Sequence, residues 1–397
     1  EEDGLPFGLW AKDILINNYV VGDYSLVPDH EFLGTAHLTN LLMLKIVYER
    51  ILDESRPDRV VSNDSYYGMW ALLQKLSERK DIPFYSNWEG TRRGAWCYAL
   101  NDASMNLDLR SAWVGFKKSS MDERKKNKVF QWLEGRRTGG EMVFDTASLA
   151  EHQDVEVDMS TFYSKKPTAL LVSNVIWDLA ALNKQVVFPD MIDWIVETIE
   201  WFRQNPQYQL IVKPHPAELN PAIPETRERV GTALEMKRVK IPGNVLLLSP
   251  VSKITVYQLF DLADVLLTYT STAGIEMAAS GKPVITTANS PYRNFGFTLD
   301  PENRAEYFSF LKGILKGEKP IDRDIQVDLA YRFILLFWYH YYMKIDILDY
   351  AHGETASFKV ESLKDIIPGK NIYLDYVADS IIDGLPIMSS TRWPPES

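Results

Sequence analysis

The chain has 397 residues, 46% of them hydrophobic, enough for two domains of about 150–200 residues and too apolar for disorder or a collagen-like repeat. Its 43 Lys and Arg against 54 Asp and Glu leave a formal net charge of -11, which repels a phosphate backbone, so nucleic acid is not an expected partner. The single cysteine, Cys97, excludes an intrachain disulfide and a Cys-rich zinc site and fits a reducing compartment, so a cytoplasmic location is expected.

Two runs of alternating strand-like and helix-like segments appear in chain order. In the first, a helical stretch from His37 to Leu52 leads to the strand Asp58-Arg59-Val60-Val61-Ser62. A helix from Gly68 to Arg79 and the strand Pro83-Phe84-Tyr85-Ser86 complete a β-α-β pattern. A polar stretch from Ser119 to Lys166 follows, with basic clusters at 124–128 and 136–137 that could hold an anion or simply be a solvated helix face. Strand signals restart near Ser164 to Pro167, the expected domain junction. The second run places strands at Thr168–Val172, Tyr208–Val212, Asn244–Leu248, Val265–Leu267 and Pro283–Ile285, with a helix over Ile192–Phe202. Short apolar strands separated by helices predict a parallel sheet covered on both faces. After Lys319 the pattern is helical to the end. The aromatic segment Tyr331–Met343 is too short for a membrane span, and reads either as a buried helix or as an interfacial contact with the cytoplasmic membrane. The opening Glu1-Glu2-Asp3 is opposite in charge to a signal peptide, and the missing initiator Met is expected of a trimmed chain.

Open parallel sheets bind ligands at the carboxyl ends of their strands, so the chemistry is sought on those loops. Leu210-Ile211-Val212 runs into Lys213-Pro214-His215-Pro216-Ala217-Glu218, where two prolines fix a loop carrying an ammonium and an imidazole. Lys213 and His215 are candidate phosphate ligands, a structural hydrogen bond being the alternative for the histidine. Val265-Leu266-Leu267 leads through Thr268-Tyr269-Thr270-Ser271-Thr272 into a short helix stopped at Gly281. Ser271 and Thr272 either bind an anion at that helix start or merely cap it. Glu276, one residue past the capping-box position, is placed for ribose hydroxyls unless it lies on the helix surface. In the N-terminal half, Glu89 of Asn87-Trp88-Glu89-Gly90 ends a strand and is the candidate general base. Its alternative is a salt-bridge hub with Arg92 and Arg93. Asp64, after the preceding strand, is the second carboxylate. The phosphate loop, dinucleotide fingerprint, zinc-protease and serine-hydrolase motifs are missing. Asp322-Arg323-Asp324 spells the Asp-x-Asp of metal-dependent sugar transferases, but it precedes a helix and is read as N-terminal helix charge.

An acidic-Gly loop, then Lys-Pro-His-Pro-Ala-Glu, then Ser-Thr-x-Gly-x-Glu with Gly-Lys-Pro-Val-Ile resembles the bacterial capsule polysaccharide biosynthesis proteins, GT-B glycosyltransferases that include transferases of the ulosonic acid Kdo. Val172-Ser173-Asn174-Val175-Ile176-Trp177-Asp178 and Tyr292-Arg293-Asn294-Phe295-Gly296-Phe297-Thr298 are similar to the same family. The resemblance implies that His215, Ser271 and Thr272 hold the phosphate of a CMP-sugar and that Glu89 is the base. It also implies donor or acceptor contacts for Arg92, Arg93, Asn174 and Arg293. Trp88 stands where many members carry a second acid, while Arg93 keeps an arginine three residues after the Gly.

The expectation is an α/β protein of GT-B fold, two doubly wound Rossmann-like domains facing a central cleft with C-terminal helices crossing back. The acceptor-side domain is expected over residues 1–163, the nucleotide-sugar domain over 164–320, and the helices over 321–397. Such a protein transfers a sugar from a nucleotide-sugar donor to a glycan or glycolipid acceptor at the inner face of the membrane, without a metal or other cofactor. The rivals are a CDP-glycerol-type polyol-phosphate transferase, a nucleotide-sugar 2-epimerase and a non-catalytic glycan-assembly protein.

Overall fold

The computed structural model of the chain describes residues 3–63, 65–90, 92, 94–138, 166–178, 181–219, 225–345, 347–349 and 357–397. They fall into two compact units, the first drawn from Glu1–Asn18, Asp23–Asp145 and Arg332–Ser397, the second from Tyr19–Gly22 and Thr146–Tyr331. Of the junction expected at Ser164 to Pro167, residues 164 and 165 lie outside the described residues.

The first unit opens with α1 (Phe7–Tyr19) and α2 (His30–Ser55), then β1 (Val60–Asn63), α3 (Gly68–Glu78), β2 (Phe84–Glu89), β3 (Ala95–Leu100), α4 (Arg110–Phe116) and α5 (Glu123–Thr138). Trp10 of α1, Leu41 and Leu52 of α2 and Leu72 and Leu76 of α3 share one apolar cluster. The β-α-β step holds, since β1 and β2 are parallel with Val61 opposite Tyr85. The next step departs from a doubly wound domain. β3 turns back antiparallel on β2, Glu89 facing Trp96, and the hairpin closes with Gly90 N donating to Ala95 O at 2.6 Å. Gly94, with a φ of 67°, supplies the left-handed residue of that turn. A tight hairpin leaves no room for a crossover helix, so this sheet is mixed rather than all parallel.

In α5 the basic cluster is a paired surface: Arg124 and Lys128 bond to Glu396, Lys126 to Glu123, and Lys128 sits 4.1 Å from the Tyr339 ring centroid. The solvated-face reading therefore stands over an anion site.

The second unit runs β4 (Thr168–Val172), α6 (Met191–Gln204), β5 (Gln209–Lys213), α7 (Val230–Met236), β6 (Val245–Leu247), α8 (Val256–Leu262), β7 (Val265–Thr268), α9 (Ala273–Ala279), β8 (Val284–Thr286), α10 (Arg304–Leu315) and α11 (Arg323–Ile334). The five strands are parallel in the order β6-β5-β4-β7-β8. The chain winds outward from β4 through β5 to β6, then crosses back to lay β7 and β8 on the other side. That reversal is the doubly wound, Rossmann-like arrangement, and its switch point lies between β4 and β7. Every residue of β4, β5 and β7 is buried, as a sheet covered on both faces requires. Trp194 and Ile195 of α6 and Tyr307 and Leu311 of α10 complete the core, with Trp194 Nε1 donating to the Tyr307 hydroxyl at 3.1 Å. Asp322 accepts from the backbone N–H of Asp324 and Ile325, so the Asp-x-Asp caps α11 as helix charge.

A π-helical turn, Leu335–Tyr341, continues α11 back into the first unit, followed by β9 (Met343–Lys344) on the edge of β3 and by α12 (Ile372–Asp383). All seven residues of that turn are buried. The aromatic segment is therefore core, as its buried-helix reading has it, and the alternative of an interfacial membrane contact falls away for it because its apolar faces are already covered. Among the described residues, no helix is long and apolar enough to cross a membrane.

Candidate active site

The carboxyl edge of the second sheet gathers the loops that follow its strands. Val172 is in register with Lys213 on one side and Thr268 on the other, so the loops after β5 and β7 leave the same edge. They stand two strand spacings apart, roughly 10 Å, with the β4 loop between them. Asn174 of that middle loop accepts a hydrogen bond from Thr270 N at 3.2 Å through its Oδ1. That bond spans the switch point itself. It gives Asn174 a positioning role for the Thr270–Thr272 turn. Beside it Ser173 is fully buried, and its hydroxyl has no hydrogen-bond partner among the described residues. Sequence reading passed over Ser173, although a serine directly after a bare apolar strand at a switch point is a detectable signal.

After β5, Lys213 departs from expectation. Its Nζ is buried and directed at the carbonyls of Ser249, Pro250 and Ser252, at 3.2 to 3.4 Å. Burial pulls its pKa down to about 8. With its protons aimed at three carbonyls, the ammonium staples the β6–α8 loop, and the phosphate contact expected of it is corrected to a structural one. His215 stands differently. Its Nδ1 accepts from Ala217 N at 3.1 Å, which fixes the neutral tautomer with the proton on Nε2. The prolines on either side hold the ring in that pose, and Nε2–H is the donor an anion needs.

Glu218, three residues on, was not anticipated. It is fully buried, Oε1 accepting from Val230 N at 3.1 Å at the start of α7 while Oε2 has no hydrogen-bond partner among the described residues. Burial pushes its pKa up to about 8, so the group is a neutral acid at pH 7.

The turn after β7 is built from its own hydroxyls. Ser271 N donates to Thr268 Oγ1 at 3.2 Å, and Ser271 Oγ accepts from Ala273 N at 3.3 Å. Ser271 thus does the capping. Thr272, the residue before α9, makes no side-chain capping bond. The turn is clamped from below by Tyr292, whose hydroxyl donates to Ser271 O at 2.6 Å. A Cβ on Gly274 would lie 2.3 Å from the Tyr292 oxygen, so only glycine lets the phenol reach that carbonyl. This explains the Gly of Ser-Thr-x-Gly, and identifies Tyr292 as a positioning residue that sequence reading missed. Glu276 is buried, which removes the surface alternative weighed for it.

Arg293 requires a correction. Its buried guanidinium donates to Thr286 O at 2.9 Å, Asp300 O at 3.1 Å, Pro301 O at 2.6 Å and Glu302 Oε1 at 3.2 Å. It pins the loop after β8 to itself, in place of the ligand contact expected of it.

In the first unit, Glu89 closes β2 directly opposite Trp96. Gly90 follows it for a steric reason: a Cβ there would meet Tyr342 Cδ1 at 2.8 Å and Ala95 O at 3.0 Å. The acid-Gly pair thus records a hairpin packed against the returning C-terminal segment. Arg92 is also corrected to a structural role. Its Nη1 donates to Trp338 O at 2.8 Å and Ser397 Oγ at 2.9 Å, and its guanidinium lies 4.8 Å from the Tyr339 ring centroid. Asp64 and Arg93 lie outside the described residues.

Residues 146–309 match the model of a family described as capsule polysaccharide biosynthesis protein. No curated protein sequence matches the chain. Among solved structures, the chain is similar to Thermosulfurimonas dismutans KpsC, beta Kdo 2,4 transferase, at 14% identity over 70% of this chain and 80% of that one, with a TM-score of 0.45. It is also similar to the beta Kdo 2,7 transferase of the same KpsC, at 16% identity over 73% and 80%, TM-score 0.40. A UDP-GlcNAc 2-epimerase from Methanocaldococcus jannaschii, in complex with UDP-GlcNAc and UDP, is similar at 15% identity over 76% and 80%, TM-score 0.31. The family match runs from before β4 into the first half of α10, the stretch that holds the His-Pro loop, the Ser-Thr turn and the switch point.

Proposed function

With residues 146–309 bearing out the resemblance to the capsule polysaccharide biosynthesis proteins, we propose that the chain is a metal-independent glycosyltransferase of the GT-B class. It takes a sugar from a nucleotide donor, a CMP-ulosonic acid such as CMP-Kdo, and delivers it to a hydroxyl of a surface polysaccharide or glycolipid. One observation carries this reading. His215, with its proton on Nε2, and Thr272, with no capping bond, stand on loops that leave one sheet edge on either side of the switch point.

In the transfer, the bond from the anomeric carbon to the phosphate oxygen breaks and negative charge collects on the departing phosphate. Nε2–H of His215 and the Thr272 hydroxyl are the donors set to receive it. Their hydrogen bonds strengthen as that charge grows, so they favour the transition state over the bound donor. Glu89 takes the proton of the acceptor hydroxyl as its oxygen attacks the anomeric carbon. Fixed donors need no reorganisation at that moment, which is the role a metal fills in other transferases.

A thermal-shift panel of CMP, CDP, UDP and GDP tests the reading. A nucleotide at 100 times its Kd adds about 2.7 kcal/mol to stability, and CMP is expected to give the largest shift. His215→Ala should abolish most of that shift and cut transfer on the order of 10²-fold. Equal shifts in wild type and variant, or none with any nucleotide, would remove His215 from the site.

A further inference from the structure

The β2–β3 hairpin that carries Glu89 also borders a cavity that the transfer mechanism leaves unused. Ala95 O and Asn101 N both bond to the β2 side, at Gly90 and Phe84. By strand alternation, the backbone groups of Tyr98 and Leu100 then point to the opposite edge of β3. β9 covers that edge only at Ala95 and Trp96. Beyond it a cavity of about 240 Å³ opens along Tyr98, Ala99 and Leu100, walled by Tyr341 and Pro386–Met388 and carrying Asp102, Asp108 and Ser111. Trp96 faces Glu89 across the hairpin, so Tyr98 and Leu100 lie roughly 7 and 14 Å further along the strand, at 3.4 Å per residue.

We propose that this cavity is an acceptor subsite that holds one uncharged, hydroxyl-rich sugar ring of the glycan being extended, an assignment that rests on the transferase reading above. The volume falls below the roughly 300–1,000 Å³ of sites for drug-sized ligands, which suits a single ring. The polar equipment is of the kind that reads hydroxyls: a strand edge, a phenol, two carboxylates whose Oδ1 atoms are held by Ala103 N and Asn106 Nδ2 and by Arg110, and the Ser111 hydroxyl, which donates to Met388 O at 3.4 Å and keeps its acceptor side. The Tyr98 phenol stays protonated, because burial pushes its pKa up to about 12. An aromatic and apolar wall supplies the face against which the C–H side of a pyranose packs. Asp108 is ion-paired through Oδ1 with Arg110 at 3.2 Å, so Asp102 is the carboxylate that disfavours an anionic ring, and the subsite selects a neutral residue even where the transferred sugar is itself an acid. Tyr85, opposite Leu100, donates to the carbonyls of Ser380 and Leu385 and fixes the wall's approach to the sheet.

The test is ligand-observed saturation-transfer NMR on the full chain with methyl glycosides of glucose, galactose, rhamnose and N-acetylglucosamine, beside the methyl glycoside of Kdo. At least one neutral glycoside should show transfer and the Kdo glycoside none at this site. Asp108→Asn should weaken the neutral glycoside about 10-fold, the loss of a hydrogen bond to a charged group. Ser111→Leu, which adds bulk to the cavity's lining, should weaken it at least as much, with thermal melts confirming that both variants fold. CMP binding, read separately by thermal shift, should be the same in both. Neutral glycosides that give no signal, or signals unchanged in both variants, would overturn the subsite even if CMP binds and transfer proceeds. Glycoside binding lost in both variants, in a protein that binds no nucleotide, would instead sustain the subsite and refute the transferase.

Discussion

Glu218→Gln isolates the most unusual titratable group in the His-Pro loop. The substitution keeps the side chain's shape and the acceptor for Val230 N while removing the ionisation. Burial pushes the acid's pKa in the folded protein up to about 8 from the ordinary carboxyl value of 4.5. The sign follows directly. Between pH 4.5 and 8 the folded state holds a proton that the unfolded chain has released, so the group's contribution falls as pH rises through that window and is level below and above it. At 1.36 kcal/mol per unit, integration from pH 5 to pH 7.5 gives a loss of about 3 kcal/mol in the wild type that the Gln variant does not suffer. For a cooperative unit of about 200 residues, that is a differential change in Tm of about 6–12 °C. Thermal melts of both proteins at pH 5.0 and 7.5 measure it. The variant should be close to the wild type at pH 5.0 and clearly more stable at pH 7.5. A difference in Tm that stays constant with pH would refute the buried neutral acid.

Three further outcomes follow from the same geometry. Glu89→Gln should lower transfer by about 10²–10⁴-fold, the usual span for a general base, while leaving nucleotide-induced thermal shifts at wild-type size; an unimpaired rate would place the base elsewhere. Gly274→Ala places a methyl against the Tyr292 oxygen and frees the Ser271 carbonyl, costing about 1–3 kcal/mol of stability and weakening nucleotide binding together. Loss of stability with nucleotide affinity intact would show that the tyrosine clamp does not position the turn. Transfer in excess EDTA should proceed at the rate found without it, and a loss restored by a divalent cation would overturn metal independence.

What could be read in advance depended on how local the determinants are. Thr168–Val172 is an uninterrupted apolar run, and the strand forms over those same residues because each of them is buried. The strands at 209–213 and 265–268 were visible for the same reason, and with them the sheet edge on which the site sits. Ala95–Leu100 is as apolar a run as those, but no helix-length segment separates it from Phe84–Glu89, so the alternation of strands with helices does not mark it. Its partner was hidden until the Gly90–Gly94 turn reversed the chain. That one hairpin separates the mixed sheet of the first unit from the doubly wound domain expected there. Lys213 looked like a ligand because a cation at a strand's carboxyl end beside a phosphate site invites that role, and Arg293 because its segment resembles the family's. Their carbonyl partners lie at Ser249–Ser252 and Thr286–Pro301, and only folding brings these within reach. The Gly of the Ser-Thr-x-Gly turn was legible as a motif but not as a cause, since its reason is Tyr292, eighteen residues away in the chain.

Crystals of the protein grown with CMP would bear most directly on the claim that one phosphate is gripped from both sides of the β4 loop. The phosphate should lie within about 3.2 Å of both His215 Nε2 and Thr272 Oγ1, the reach of a hydrogen bond. A nucleotide bound with its phosphate away from either group, or at the opposite end of the parallel sheet, would contradict it.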